Sequence, residues 1–170
     1  GIESRVETPW GVSSLYQAGV YRLRPGRLQL HGLLDDFMGP GNPWGIVFDD
    51  WGQSLVVDGA GGISYLTPAS IPAKHRLRLD RIGNPGGYCG VEMINGRHMP
   101  ESMRGQFVLN DYKSNTVRRF ALTPAGSGFK LDWKESVLKS SHRNFRPVDI
   151  RIGPDGAIYI ADFYNTIICH

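Results

Sequence analysis

Arg143, Asn144 and Arg146 stand close together in the run Ser140-Ser141-His142-Arg143-Asn144-Phe145-Arg146. Two guanidinium groups around an amide suit an anionic ligand, because each presents a planar fork of donors that matches a carboxylate or a phosphate. Two other loops are of similar type: Met38-Gly39-Pro40-Gly41-Asn42-Pro43-Trp44 and Gly83-Asn84-Pro85-Gly86-Gly87-Tyr88, each with an Asn beside a Pro. Trp44 and Tyr88 add flat aromatic faces, Lys113 adds a cation, and Asn42 and Asn144 add amides that can orient a ligand. Glu92 and Asp149 lie in the apolar stretches that follow two of these loops. A carboxylate there can bind a cation or take the proton of a hydroxyl. The same residues admit a plainer reading. Asn and Pro then shape the loops, the arginines pair with nearby acids, and the two carboxylates only hydrate a wall.

The elements that would position these groups are legible as a repeat. Pro147 to Ile168 reads as two strands around Gly153-Pro154-Asp155-Gly156, a turn in which Pro fixes φ and Gly accepts a positive one. Aligning Pro147 with Pro43 also aligns Gly156 with Gly52, Asp162 with Asp58 and Ile167 with Ile63. A third copy, Gly105 to Asp111, matches Gly156 to Asp162. The period is roughly fifty residues, within the range of propeller blades. Third strands are predicted at Val20–Arg24, Ile63–Thr67 and Val117–Thr123, each closed by a Pro. Fourth apolar runs follow at Leu28–Leu34, Leu77–Ile82 and Trp133–Leu138. Four strands per repeat make the fold all-β, a partial β-propeller of four-stranded antiparallel blades.

Blade-like units cover about 43–82 and 88–141, with partial units at 1–35 and 147–170, so residues 1–170 are expected to form one segment of a single propeller domain. The segment starts and stops within a blade and is expected to need the rest of the propeller, or other chains, to close the ring. The three loops above precede equivalent innermost strands and should meet at one mouth of the central channel. Asp58, Asp111 and Asp162 each end a second strand and are expected to cap the turn that follows. A cation site shared among them is the other reading.

Composition narrows the function classes. The chain has 170 residues, with 22 Gly and 11 Pro but no collagen-like period, which suits a β protein rather than a disordered one. The net charge of +3 is spread among acids without a basic tract, which speaks against nucleic acid as a partner. No apolar run is long enough to span a membrane. The two cysteines, Cys89 and Cys169, are expected to be small buried or half-buried thiols. A haem-attachment motif ending at Cys169-His170 would need Cys at 166, where the chain has Thr166.

Gly41-Asn42-Pro43-Trp44-Gly45, Phe48-Asp49, Gly52 and Asp58-Gly59 together resemble a segment of the soluble quinoprotein glucose and sorbosone dehydrogenases. Over nearly its whole length the chain resembles more closely the propeller of the planctomycete-type membrane-bound dehydrogenases, through Gly1-Ile2-Glu3-Ser4, Gly39 to Gly45, Asn110-Asp111-Tyr112-Lys113 and Asn144 to Asp149. The resemblance implies a six-bladed propeller and a secreted or periplasmic oxidoreductase, with pyrroloquinoline quinone and calcium as cofactors. It implies a small sugar or polyol substrate whose hydroxyl is oxidised, and a c-type haem module as electron acceptor. Asn42 would then orient the quinone, and Arg143, Arg146 and Lys113 would hold its acidic groups. Trp44 and Tyr88 would stack on it, Asn144 would lie beside it, and Asp149 or Glu92 would serve a cation or a proton. Gly41 stands where those relatives carry Arg, Trp44 where they carry Gln, and Ala60-Gly61 where they carry a Gly-Pro pair that binds calcium. The other class of function open to the chain is a non-catalytic propeller that binds a glycan or a protein.

Overall fold

The computed structural model describes residues 4–9, 11–15, 20–34, 42–59, 62–66 and 86–167. Thirteen strands run through them: β1 (Ser4–Thr8), β2 (Gly11–Leu15), β3 (Val20–Arg24), β4 (Gln29–Leu34), β5 (Pro43–Phe48), β6 (Ser54–Asp58), β7 (Gly62–Leu66), β8 (Tyr88–Ile94), β9 (Gln106–Asp111), β10 (Thr116–Ala125), β11 (Gly128–Lys139), β12 (Pro147–Ile152) and β13 (Ile158–Asp162). They form separate antiparallel sheets: β1-β2, β3-β4, β5-β6-β7, β8-β9-β10-β11 and β12-β13. The chain is an all-β partial propeller. The strands β5, β8 and β12 begin their sheets, and β8 lies between the other two.

The packing explains why β9 reads as an unbroken apolar run. Phe107 and Leu109 face the β5-β6-β7 sheet, in a core with Val47, Leu55, Val57, Ile63, Val91 and Phe120. Val108 points the other way and joins Ile94, Val117 and Ile150 under the β12-β13 sheet. Side chains alternate between the faces of a strand, so a sheet covered on both sides needs apolar residues at every position. Phe107 and Phe120 stack with ring centroids 5.2 Å apart, and Trp133 meets Phe120 edge-on at 5.8 Å.

One glycine shows how closely the inner strands approach. A Cβ on Gly90 would stand 2.8 Å from the Asp149 Cα and 2.9 Å from the Ile150 nitrogen. Only a residue without a side chain lets β8 and β12 come this near.

Two expectations change. The strand Gly11–Leu15 lacks a clear alternation and was not expected; it pairs with β1, as β3 pairs with β4. The third strand of the central blade does not stop at Pro124 but runs to Ala125. Pro124 pairs with Phe129 of β11, whereas the pairing of β10 with β9 ends at Phe120, so the missing N–H faces an unpaired edge. The run Leu77–Ile82, most of the loop before Trp44, part of the loop before Tyr88, Ala60-Gly61 and Cys169 lie outside the described residues.

Candidate active site at the start of the inner strands

The same backbone geometry recurs at the start of β5, β8 and β12. Gly59 N–H donates to the Asn42 carbonyl at 3.0 Å, Tyr112 N–H to that of Gly87 at 2.9 Å, and Phe163 N–H to that of Arg146 at 2.9 Å. Pro43 pairs with Asp58, Tyr88 with Asp111 and Pro147 with Asp162, and each inner strand then carries a bulge that shifts its register. Asn42, Gly87 and Arg146 are therefore structural equivalents at the same end of the inner strands.

The aspartates of the repeat fasten this end. Asp58 Oδ2 accepts the Asn42 N–H at 2.6 Å, and Asp162 Oδ1 accepts the N–H groups of Arg146 at 2.7 Å and Tyr164 at 2.9 Å. Asp111 Oδ1 accepts the Ser114 N–H at 3.3 Å, and its Oδ2 lies 2.9 Å from Arg118 Nε. These are cap interactions within each repeat. Among the described residues no group of three His, Cys, Asp or Glu is placed to hold a metal.

The sequence reading missed a set of latches between sheets. Tyr112 O–H donates to the Gly59 carbonyl at 3.4 Å, and Arg146 Nη1 donates to the Tyr112 carbonyl at 2.9 Å. Tyr112 is buried, and this burial, ahead of the electrostatic influence of Cys89, Asp111 and Asp58, raises the pKa of its phenol. The Arg146 guanidinium also donates to the carbonyls of Asn165 at 3.1 Å and Thr166 at 3.4 Å. Arg146 is thus bound to three main-chain carbonyls, not to an acid. Tyr112 follows a strand end, and only its place beside Asp111 in the segment Asn110-Asp111-Tyr112-Lys113 could have pointed to it.

The remaining candidates separate by exposure. Tyr88 is only 2% exposed and packs obliquely on Trp133 with ring centroids 6.3 Å apart. It is a core residue, because the pattern of β8 turns it toward the β5-β6-β7 sheet, and its ring is not offered to a ligand. Trp44 is half-exposed, with its indole nitrogen over Gly59. Asn42 is exposed. Lys113 lays its methylenes over Gly87 with its side chain exposed. Arg143 is exposed, and neither Lys113 nor Arg143 forms an ion pair among the described residues. Asn144 accepts the Thr166 hydroxyl at 2.9 Å and donates its N–H to His142 Nδ1 at 3.3 Å, while the His142 ring stacks on Tyr164 with centroids 5.6 Å apart.

Glu92 and Asp149 lie farther down the inner strands, and one residue joins them. Arg151 Nη1 is 3.7 Å from Glu92 Oε2, and Arg151 Nη2 is 3.4 Å from Asp149 Oδ1. Arg151 alternates with Asp149 on β12, and this i, i+2 spacing was the signal available for it.

A family described as a domain of unknown function (DUF7133) matches residues 60–170. The chain belongs to the DUF7133 family. No curated protein matches this DUF7133 chain in sequence. Two solved structures are similar to it. One is a glucose dehydrogenase, 22% identical with a TM-score of 0.49, where the match covers 70% of this chain and 36% of the other. The other is the soluble aldose sugar dehydrogenase of Escherichia coli in its apo form, 16% identical with a TM-score of 0.50, covering 70% of this chain and 41% of the other. The DUF7133 chain thus spans less than half the length of either neighbour, and the likeness to the second is one of fold.

A planar quinone with several carboxylates needs fixed cations beside a flat apolar face. Lys113, Arg143 and Trp44 fit that need by exposure and chemistry. Tyr88 and Arg146 do not, since one is buried and the other is engaged by carbonyls.

Proposed function

We propose that this propeller segment forms part of a secreted or periplasmic, quinone-dependent oxidoreductase of the planctomycete-type membrane-bound dehydrogenases, acting on a sugar or polyol hydroxyl and passing electrons to a haem partner. The observation that carries the reading is the end of the inner strands, where Lys113 and Arg143 are exposed, without an acidic partner among the described residues, at the same end as Trp44 and Asn42. The sugar-dehydrogenase names of both structural neighbours are in keeping with it. Pyrroloquinoline quinone, when bound, supplies the acceptor for the two electrons of the substrate.

This chain's residues would then divide the work. Lys113 and Arg143 hold the carboxylates of the quinone, Trp44 covers its face and Asn42 orients it. Asn144, fixed by Thr166 and His142, shapes the loop that carries Arg143. Asp149, half-exposed and beside Arg151, takes the proton of the substrate hydroxyl, with Glu92 sharing the same guanidinium. Calcium is part of the proposal through residues outside the described set, and the six-bladed ring through the rest of the protein.

The test is titration of the complete protein with pyrroloquinoline quinone and calcium, followed by absorbance or calorimetry. Saturable binding is expected, weakened by about 1.5–3 kcal/mol in Arg143→Ala or Lys113→Ala, the usual worth of a hydrogen bond to a charged group. A wild-type protein that binds no quinone would leave the non-catalytic reading. One observation favours that reading: Trp51, 87% exposed at the β5-β6 turn, and Phe48 beside it present aromatic surface to a glycan or a protein.

A further inference from the structure

The repeat provides its own reference for what the seam between two sheets should contain. In the first seam, Val57 of β6 fills the space beside Gly45, whose Cβ would stand 3.0 Å from Val57 Cγ2. The register makes Asn110 of β9 the equivalent of Val57, because each is the residue before the aspartate that ends its strand. Asn110 likewise sits beside a glycine of the inner strand, with its Nδ2 3.1 Å from the Cβ that Gly90 would carry. A position that is apolar in one seam is thus an amide in the next.

Asn110 is 0% exposed, and among the described residues neither its Nδ2 nor its Oδ1 has a hydrogen-bond partner. A buried primary amide left in this state costs more than the Val that its repeat neighbour carries. Main-chain polar groups of the two inner strands lie along the same seam. Gly90 falls in the bulge of β8, between the pairs Cys89–Asn110 and Val91–Leu109, and so stands out of the ladder. Val148 falls in the matching bulge of β12. The Pro147 carbonyl accepts the Cys89 thiol at 3.1 Å and keeps a second lone pair.

We infer that the seam between β8, β9 and β12 is an internal hydration site, in which Asn110 binds one or more water molecules together with the bulged peptide groups of Gly90 and Val148 and the Pro147 carbonyl. Water suits this donor set because it both donates and accepts, as the amide requires, and because polar seams hold ordered water while apolar ones stay dry. Asp149 lies directly across from Gly90, so the water occupies the floor beneath that carboxylate. The inference does not depend on the dehydrogenase reading.

A crystal structure of the complete protein, at a resolution that places solvent, tests it directly. Density within hydrogen-bond distance of Asn110 Nδ2 or Oδ1 and of at least one of the bulged peptide groups is expected. A seam empty of density would overturn the proposal, as would density with contacts near 2.3 Å, which marks a cation rather than water. Thermal denaturation of Asn110→Val gives a second, independent readout. If water fills the seam, the variant strands the peptide groups that the water served and melts below the wild type. If the seam is dry, the variant removes an unpaired amide and melts above it, which refutes the site even where crystals fail.

Discussion

Gly90→Ala would place one methyl group between two backbones, and the structure gives its consequences. The new Cβ would stand 2.8 Å from the Asp149 Cα, 2.9 Å from the Ile150 nitrogen and 3.1 Å from Asn110 Nδ2. Carbon atoms rest at about 3.5–4.0 Å, so β12 must retreat by roughly half an ångström or more. No flexible side-chain end is available to move instead, because the nearest two atoms are main chain. Overpacking of this kind costs about 1–3 kcal/mol. Alanine also restricts the unfolded chain, which returns about 0.4–1 kcal/mol where the native backbone accepts it. The clash outweighs this, and a net loss of about 1–2 kcal/mol is expected. Gly96→Ala is the control, since its Cβ would meet nothing within 4 Å. Urea unfolding of the two variants in the complete protein, read as midpoint and slope, separates the effects. The reasoning fails if Gly90→Ala unfolds at the same midpoint as Gly96→Ala, because the close approach of β8 and β12 would then not exist in solution.

Burial, helped by the charges of Asp111 and Asp149, raises the Cys89 thiol from its ordinary 9.0 to about 12. Alkylation of Cys89 at pH 8, followed by peptide mass mapping, should run about a thousandfold slower in the folded protein than in urea. The folded state keeps this proton where the unfolded state has lost it, so stability should be full below about pH 9 and decline as pH rises toward 12, by up to ~1.4 kcal/mol per pH unit from this group. A flat alkaline limb in a pH series of melts would contradict the burial of Cys89. Arg146→Lys cannot fork to three carbonyls, and amide hydrogen exchange at Tyr112 and Phe163 should quicken while the core of β9 keeps its protection. Phe120→Ala removes a ring that touches both Phe107 and Trp133 and should cost about 3–5 kcal/mol in the same urea assay. Arg151→Ala should shift the midpoint by no more than about 1 kcal/mol, because its ion pairs lie at the surface.

The all-β fold was legible in sequence alone, and particular residues show why legibility stopped there. Period-two alternation and the turn Gly153-Pro154-Asp155-Gly156 are local signals, so β12 and β13 were readable. Asp111 and Asp162 were readable as caps because Ser114 and Tyr164 lie nearby in the chain, whereas the Asn42 and Arg146 N–H groups held by Asp58 and Asp162 lie sixteen residues away across the sheet. Tyr88 could not be told from an exposed aromatic, since a loop in sequence gives no sign of which sheet its last residue faces. Arg146 was read as a ligand for anions because side-chain chemistry is visible in sequence, whereas the carbonyls of Tyr112, Asn165 and Thr166 that occupy it are common to every residue. Tyr112 was missed for the same reason, its acceptor being the Gly59 carbonyl of another sheet, and half of the role of Arg151 comes from Glu92 on β8. Asn110 was visible only as part of a motif, and its burial against β12 required the register of three strands.

The two latches made by Tyr112 and Arg146 run in one direction. The Tyr112 hydroxyl reaches back to the Gly59 carbonyl, and the Arg146 guanidinium reaches back to the Tyr112 carbonyl. In both, the acceptor belongs to the earlier part of the chain and the donor to the later part. During synthesis the acceptor therefore leaves the ribosome first and waits, with its sheet already able to form, for the side chain that secures the next one. At these two joints the later sheet secures the earlier one, like shingles laid along a roof, whereas the Cys89 thiol donates forward to the Pro147 carbonyl and can close that seam only once β12 has been made.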